Sequence, residues 1–284
     1  MKKEIKSVGI VGAGTMGQGI AQIASLSGYK VLLFDISENQ LEKASTAIIS
    51  SFNKGIEKGK LNRNDVEKAG KRIVIIRTLS EVKADFILEA AVENLEIKQK
   101  ILAELEEIND TDAILSTNTS SIPVTQIGTI LKNKHRFLGL HFFNPAHIMP
   151  LVEVIATPAT DESCITLTTE FSISLGKTPV MAKDSPGFIV NRVARHYYLE
   201  SLKILEEKVA DVESIDRLFE SSGFKMGPFR LMDLIGVDTN FSVTETMFHQ
   251  FGMDSKFRPN RIQKQLVDAG FWGRKSGKGF YTYD

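Results

Sequence analysis

The sequence predicts an α/β fold in which a doubly wound, mostly parallel sheet is followed by an all-α domain. Three observations support this prediction. Short apolar runs of strand length alternate with helical patterns through the first two thirds of the chain. A glycine-rich turn joins the first apolar run to the first helix. After a polar break at residues 183–187, helical periodicity prevails.

The glycine-rich turn, Gly12-Ala13-Gly14-Thr15-Met16-Gly17, predicts a Rossmann-like dinucleotide site. Because it stands between an apolar strand and a helix, each glycine has a physical role. Gly12 permits the tight turn, Gly14 lets a diphosphate approach the backbone, and Gly17 lets the helix pack closely on the strand. The first amides of that helix then point at the phosphates.

Asp35 follows the second apolar run, Val31-Leu32-Leu33-Phe34, and indicates which dinucleotide binds. A carboxylate at this strand tip can accept hydrogen bonds from both hydroxyls of an adenosine ribose and repels a 2′-phosphate, so we expect NAD rather than NADP. The alternative is a glycine-rich turn between packed elements, with Asp35 as a solvated strand end. The strand–helix context and the acid together favour dinucleotide binding.

Composition argues against several classes of protein. The 284 residues are 42% hydrophobic and 25% charged, and 35 basic residues balance 35 acidic ones, so nothing favours nucleic-acid binding. No apolar run reaches the length of a membrane span, and the five histidines lack the spacing of a metal site. The single cysteine, Cys164, fits a reducing compartment, and we interpret it as structural. Because Met1 leads almost directly into the first strand, we expect no signal peptide and a cytoplasmic protein.

A helical arm is predicted at about residues 38–72, between the second and third strands. Apolar residues recur there at helical spacing, and a second short helix follows, which we expect to open at a capping box of Asn64 and Glu67. From Lys54 to Arg72 the arm carries seven basic and three acidic residues, a net charge of +4. Such a run is either a solvated face or a handle for a polyphosphate on the substrate.

Polar side chains follow the fourth and fifth predicted strands. Glu93 comes directly after residues 85–92, Lys98 lies about a turn later, and Thr119-Ser120-Ser121 follows the fifth strand. Because ligands of a doubly wound sheet lie beyond the carboxyl ends of its strands, we expect these residues to face the cofactor. The alternative for the hydroxyl cluster is a cap on the next helix, which Pro123 and the short sequence after it disfavour.

A histidine and a glutamate occupy matching positions on two successive predicted strands, residues 137–142 and 151–155. Period-two alternation places His141 and Glu153 on faces opposite to their apolar neighbours, so a hairpin-like return brings them together. A carboxylate on one ring nitrogen fixes the tautomer and leaves the other nitrogen free to transfer a proton. The alternative, a core histidine beside a structural glutamate, stays open from spacing alone. His147 has no such partner, and we do not expect it to be catalytic.

Lys183-Asp184-Ser185-Pro186-Gly187 marks the predicted domain boundary. The first helix after it should bury one seam, formed by Ile189, Val193, Tyr197, Leu202 and Leu205. Asn191 is polar inside the apolar first turn of this helix. The aromatic tail at residues 271–281 should pack back onto the domain, and a helical domain this small and apolar should pair with a second copy.

Read together, the sequence resembles the short-chain L-3-hydroxyacyl-CoA dehydrogenases, and within them the bacterial 3-hydroxybutyryl-CoA dehydrogenases. The matching stretches run through the whole chain in order. Besides the glycine turn they are Val92-Glu93-Asn94, residues 116–121, Gly139-Leu140-His141-Phe142-Phe143-Asn144-Pro145, Leu151-Val152-Glu153-Val154-Ile155, residues 183–192, Met226-Gly227-Pro228-Phe229 and Gly277-Lys278-Gly279-Phe280-Tyr281.

The resemblance implies a role for each candidate residue. His141 is the general acid/base, Glu153 orients it, and Ser120 and Asn191 hold the substrate oxygen. The implied cofactor contacts, besides residues 12–17 and Asp35, are Glu93, Lys98, Ser120, Asn144 and Lys275. The family's arm meets coenzyme A at Ser51, Lys54 and Lys58, which favours the polyphosphate reading of the basic run.

The resemblance therefore implies a reversible hydride transfer between NAD(H) and (S)-3-hydroxybutyryl-CoA or acetoacetyl-CoA in short-chain fatty acid metabolism. We expect a Rossmann-like NAD-binding domain at residues 1–184, including the arm, and a helical substrate and dimerisation domain at 185–284. Two alternatives stay open: a related dehydrogenase of a free hydroxy acid or sugar acid, and a non-catalytic NAD-binding protein.

Overall fold

The computed structural model describes residues 4–283 and divides the chain into two compact units, one ending at Asp184 and one beginning at Ser185. The first unit is a sheet with helices, and the second is helical. The predicted fold class is thereby confirmed, a Rossmann-like doubly wound sheet with a helical-arm insertion followed by an all-α domain.

The described part of the first unit contains one eight-stranded sheet. Its strands are β1 Ser7–Val11, β2 Lys30–Phe34, β3 Ile73–Ile76, β4 Phe86–Glu89, β5 Ile114–Thr117, β6 Phe137–Phe142, β7 Leu151–Ala156 and β8 Thr178–Lys183. The spatial order is β3-β2-β1-β4-β5-β6-β7-β8, and β6 and β7 are the one antiparallel pair in it. The order reverses direction between β1 and β4, which is where a doubly wound sheet opens a crevice for ligands.

Six α-helices accompany this sheet in the described residues. They are α1 Thr15–Leu26, α2 Glu38–Glu57, α3 Arg63–Arg72, α4 Leu95–Ile108, α5 Val124–Ile127 and α6 Glu162–Ser174. The second unit contributes α7 Val190–Glu206, α8 Val212–Ser221, α9 Pro228–Ile235, α10 Val237–Gln250 and α11 Arg261–Asp268. No helix among residues 4–283 is both long and apolar enough to cross a membrane.

The inner strands are buried along their whole length, which is why their sequences are continuously apolar rather than alternating. The main core joins β1, β2, β4, β6 and β7 to the inner faces of α1, α2 and α6. The arm packs its predicted apolar face inward, through Leu41, Ala44, Ile48 and Phe52. Its second helix starts earlier than expected, because Asn62 rather than Asn64 is the N-cap and accepts a hydrogen bond from the Asp65 amide at 2.8 Å.

The predicted seam of α7 is wrong in part. Val193 is 68% exposed and Ile189 is 41% exposed, whereas Arg195 is buried. The Arg195 guanidinium donates to the Asn240 carbonyl and to the Thr244 hydroxyl, both at 2.8 Å, and these bonds replace the water that a buried charge loses. A hydropathy pattern places an arginine such as Arg195 on the solvent side of a helix. The face of α7 predicted from apolar residues alone is therefore rotated about the helix axis relative to the face that is buried.

The aromatic tail packs onto its own unit through two buried carboxylates. Asp233 accepts hydrogen bonds from the amides of Phe280 and Tyr281 at 3.0 and 2.9 Å and from the Tyr283 hydroxyl at 2.9 Å. Asp216 accepts from the Tyr281 hydroxyl at 2.8 Å. Unsatisfied buried carboxylates are costly, so these donors tie the end of the described chain to α8 and α9.

Candidate active site

The glycine turn has the backbone geometry that its sequence predicts. Gly12 has φ of +107°, and a side chain there would collide with the Ala90 carbonyl, while one at Gly17 would collide with the Gly12 carbonyl. A side chain at Gly14 would meet nothing within 4 Å, so this side of the turn is open. Gly14 is also the N-cap of α1 and supplies no side-chain cap. The turn thus fits a diphosphate at a helix N-terminus.

Asp35 lies half-buried directly after β2 and bonds to the glycine turn itself. Its Oδ2 accepts from the Ala13 amide at 2.8 Å, and its Oδ1 accepts from the Ser37 amide at 2.9 Å. An ionised carboxylate has about four acceptor positions, so acceptor capacity remains for ribose hydroxyls. Gln40, which the sequence did not single out, donates to the Ala13 carbonyl at 2.9 Å. Both backbone groups of Ala13 are therefore held by side chains from the β2–α2 segment.

Glu93 and the hydroxyl cluster come together beyond the ends of β4 and β5. Glu93 Oε1 accepts from the amides of Ser120 and Ser121 at 2.9 and 3.0 Å and from the Thr119 hydroxyl at 2.8 Å. Lys98 Nζ lies 3.3 Å from Glu93 Oε2. Burial raises the pKa of Glu93, but the Lys98 ammonium and these hydrogen bonds outweigh it and hold the pKa below its usual value.

A buried acid that the sequence missed lies next to this group. Glu89, the last residue of β4, is fully buried and accepts from Lys98 Nζ at 2.9 and 3.1 Å. It also accepts from the Thr117 hydroxyl at 2.6 Å and from the Ala91 amide at 2.7 Å. The one available signal was an acid inside an otherwise apolar strand, which requires a buried partner.

His141 and Glu153 are directly opposed in the antiparallel register of β6 and β7. His141 Nδ1 lies 2.7 Å from Glu153 Oε2, and the two residues are 5% and 1% exposed. Because the carboxylate engages Nδ1, the ring is fixed and its other nitrogen, Nε2, is directed away from Glu153. The Phe143 ring lies beside the imidazole, with centroids 4.6 Å apart. This pair has the geometry of a proton-transferring imidazole held by a carboxylate.

The loop after β6 carries Asn144 and His147, both exposed, with a cis peptide bond between Asn144 and Pro145. Lys177 fixes this loop, since its ammonium donates to the carbonyls of Ala146 and Met149 at 2.6 and 2.8 Å. Loss of water contact and the nearby Lys177 charge lower the pKa of His147 below its usual value.

The predicted coenzyme A residues lie together on the arm. Ser51 and Lys54 belong to the last turns of α2, and Lys58 is its C-cap. Both lysines are exposed, and positions three and four apart share one face of a helix.

Among residues 4–283, no group of three or more histidine, cysteine, aspartate or glutamate side chains is placed to hold a metal ion.

The remaining two candidates belong to the second unit. Asn191 lies in the first turn of α7, where its carbonyl accepts a long hydrogen bond of 3.4 Å from Arg195. The Lys275 ammonium lies 2.7 Å from the Asp238 carboxylate, a partner that the sequence did not suggest. The roles expected for Asn191 and Lys275 stay predictions.

Comparison with known proteins covers both units. The NAD-binding-domain model of the 3-hydroxyacyl-CoA dehydrogenases matches residues 7–185, and the C-terminal-domain model matches residues 187–283. The chain is 44% identical to a 3-hydroxyadipyl-CoA dehydrogenase of Escherichia coli, of which it spans 60% of the length. It is 37% identical to a 3-hydroxybutyryl-CoA dehydrogenase of Mycobacterium tuberculosis, and there both chains are covered completely.

A solved structure agrees with these matches. The (S)-3-hydroxybutyryl-CoA dehydrogenase of Ralstonia eutropha superposes with a TM-score of 0.94 at 38% identity, over 99% of this chain and 100% of that one. The expectation of NAD as cofactor is confirmed by the family's NAD-binding domain. The chain therefore belongs to the 3-hydroxyacyl-CoA dehydrogenase family of NAD-dependent oxidoreductases.

Proposed function

We propose that this protein is a 3-hydroxybutyryl-CoA dehydrogenase, which interconverts (S)-3-hydroxybutyryl-CoA and acetoacetyl-CoA with NAD. The observation that carries the proposal is the buried contact of 2.7 Å between His141 Nδ1 and Glu153 Oε2. A binding protein has no need of an imidazole held in this way, whereas a dehydrogenase must move a proton as the hydride moves. The full-length relatives named 3-hydroxybutyryl-CoA dehydrogenase support the choice of substrate.

The histidine and its carboxylate perform the proton transfer. NAD supplies the chemistry of hydride acceptance, and NADH that of hydride donation. During oxidation, His141 Nε2 removes the proton of the 3-hydroxyl group, and during reduction it returns a proton to the same oxygen. Glu153 maintains the tautomer and stabilises the imidazolium that forms.

Ser120 and Asn191 are proposed to donate hydrogen bonds to the substrate oxygen. Negative charge develops on that oxygen in the transition state, so donors placed there lower the barrier more than they strengthen substrate binding. For Ser120 the support is its position in the turn that Glu93 holds. For Asn191 the support is the family resemblance, and substitution by alanine tests it.

The cofactor is proposed to bind at the glycine turn, residues 12–17, and at Asp35. Further contacts are proposed for Glu93, Lys98, Ser120, Asn144 and Lys275. The open side of Gly14 and the uncapped start of α1 support the placement of the diphosphate. NADP is disfavoured, because the Asp35 carboxylate repels a 2′-phosphate.

The coenzyme A portion of the substrate is proposed to bind Ser51, Lys54 and Lys58 on the arm. The net charge of +4 between Lys54 and Arg72 complements phosphate groups. Binding energy gained far from the reacting carbon can orient that carbon. The same charge argues against a free hydroxy acid as substrate, since that substrate has no phosphate.

The test is NADH oxidation against a series of ketoacyl substrates. We expect turnover with acetoacetyl-CoA and at least about a hundredfold lower kcat/KM with free acetoacetate, a loss of binding energy of about 3 kcal/mol. The series should include 3-oxoadipyl-CoA, because a relative of 44% identity is named for a 3-hydroxyadipyl group. Equal rates with free acetoacetate favour the free-acid alternative, and NADH binding without turnover of any substrate favours the non-catalytic one.

The protein is further proposed to form a homodimer through its second unit and to work in the cytoplasm. Large apolar side chains stay exposed on that unit, among them Val209, Leu218 and Phe224. Light scattering after gel filtration measures the mass of the assembly. A monomer at micromolar concentration contradicts the dimer, and cell fractionation tests the compartment.

A further inference from the structure

The buried Glu89–Lys98 ion pair connects the interior of the sheet to the Ser120 turn. Glu89 ends β4 and is paired in register with Val11 of β1 and Thr117 of β5. The Glu89 carboxylate is fully buried, and Lys98 is 1% exposed. Two oppositely charged groups removed from water in this way hold each other in place, because either one alone would be an uncompensated buried charge.

Lys98 is shared between two carboxylates. Its ammonium lies 2.9 and 3.1 Å from the oxygens of Glu89 and 3.3 Å from Glu93 Oε2. The Glu93 side chain is 36% exposed, so packing restricts its position less than it restricts the fully buried Glu89. The fixed Glu89 therefore determines where the ammonium lies, and the ammonium determines where Glu93 Oε2 lies.

Glu93 Oε1 in turn holds the Thr119-Ser120-Ser121 turn. It accepts from the two serine amides at 2.9 and 3.0 Å and from the hydroxyls of Thr119 and Ser121 at 2.8 and 3.1 Å. Several donors converging on one oxygen fix the turn only if that oxygen stays in place. Its position depends on the Lys98 contact to the other oxygen of the same carboxylate.

We infer that Glu89 is a positioning residue, which acts through Lys98 and Glu93 to hold the Ser120 turn in its working conformation. This inference rests on the proposed function, in which Ser120 contacts substrate and cofactor. Glu89 itself is buried below the turn and touches neither. Its effect on the reaction is transmitted by the ion pair.

The experiment compares Glu89→Gln with a matched control. Ser116→Ala removes a buried hydrogen bond of 2.8 Å between β5 and β4, from the Ser116 hydroxyl to the Ile87 carbonyl. Ser116 takes no part in the contacts that link Glu89, Lys98 and Glu93. Hydrogen exchange of the Ser120 and Ser121 amides is measured in the full-length protein without ligands. We expect exchange at both amides to accelerate about tenfold or more in Glu89→Gln, and to stay within about twofold of wild type in Ser116→Ala.

A second variant covers the case in which Glu89→Gln does not fold, since it strands a buried lysine. Glu89→Asp keeps a negative charge beside Lys98 but withdraws the carboxylate by one methylene group, so the ammonium has to shift relative to Glu93 Oε2. Acceleration confined to the two serine amides, in either variant, supports the positioning role. Wild-type exchange at these amides in the folded variants overturns it, and so does acceleration spread evenly over β4 and β5.

Cofactor affinity provides a separate readout. We expect the dissociation constant of NADH to rise about tenfold in Glu89→Gln, and the Ser116→Ala constant to stay near that of wild type. Wild-type protein that binds no NADH contradicts the proposed function and leaves the exchange result standing on its own. The positioning role requires both results, so NADH affinity unchanged by Glu89→Gln overturns it even where amide exchange accelerates.

Discussion

Glu153→Gln separates the charge of the histidine's partner from its geometry. Glutamine has nearly the same volume, and its carbonyl oxygen can still accept from His141 Nδ1, so the tautomer is retained. The substitution removes the negative charge that lies 2.7 Å from the ring nitrogen. At an effective dielectric constant of about 20 and a charge separation of about 4 Å, that charge attracts the imidazolium by about 4 kcal/mol.

The expected loss follows from this magnitude. A stabilisation of about 4 kcal/mol corresponds to about 10³-fold in rate, at about 1.4 kcal/mol per factor of ten, and partial solvent screening lowers it toward 10². We therefore expect kcat/KM for (S)-3-hydroxybutyryl-CoA, the substrate whose oxidation forms the imidazolium, to fall by about 10²- to 10³-fold, with NADH affinity unchanged. Steady-state NAD reduction and NADH fluorescence titration measure the two quantities.

An exposed glutamate on α6 provides the control for Glu153→Gln. Glu162→Gln, at an exposed position in the first turn of α6, makes the same chemical change away from the histidine and should leave kcat/KM within about twofold. If Glu153→Gln keeps kcat/KM within threefold of wild type while it folds normally, imidazolium stabilisation by Glu153 is refuted.

Three further substitutions test the remaining elements. Asp35→Ala should lower the ratio of kcat/KM with NADH to kcat/KM with NADPH about tenfold or more. It should also weaken NADH binding, because the Ala13 amide loses its hydrogen-bond partner. An unchanged ratio contradicts the role of Asp35 in cofactor choice. Glu93→Gln should reduce the free energy of unfolding at pH values above the usual pKa of a glutamate. This loss of stability should vanish as pH falls through the lowered pKa of Glu93. Denaturant titrations that show the same loss at every pH contradict this prediction. Asp233→Asn should lower the free energy of unfolding by about 2–4 kcal/mol, whereas Asp110→Asn, at an exposed position, should change it by less than about 0.5 kcal/mol. Equal effects refute the role of the tail contacts.

The fold could be predicted from short-range patterns. Strand and helix periodicity identified the sheet, the arm and the helical unit, because the doubly wound core buries whole strands. The antiparallel return that opposes His141 to Glu153 also followed from alternation and a short connection. These features depend on neighbours in sequence, so one sequence was sufficient for them.

Long-range polar pairing was out of reach. Glu89 in an apolar strand and Arg195 on α7 each require partners that only the tertiary structure supplies, and hydropathy assigns both to solvent. Gln40 is an ordinary residue of the first turn of α2 until the Ala13 carbonyl is seen beside it. The roles of the site residues likewise depend on ligands, so they stay predictions.

The tail contacts of the second unit have a consequence for synthesis on the ribosome. The donors that satisfy Asp233 lie at residues 280–283, about fifty residues downstream of the acid. The first unit is complete at Asp184 and can fold while the rest is being translated, as N-terminal domains generally do. Asp233 cannot acquire these donors until residue 283 has left the ribosome. Until then the second unit lacks its tail contacts, so we expect nascent chains to aggregate through this unit rather than through the first.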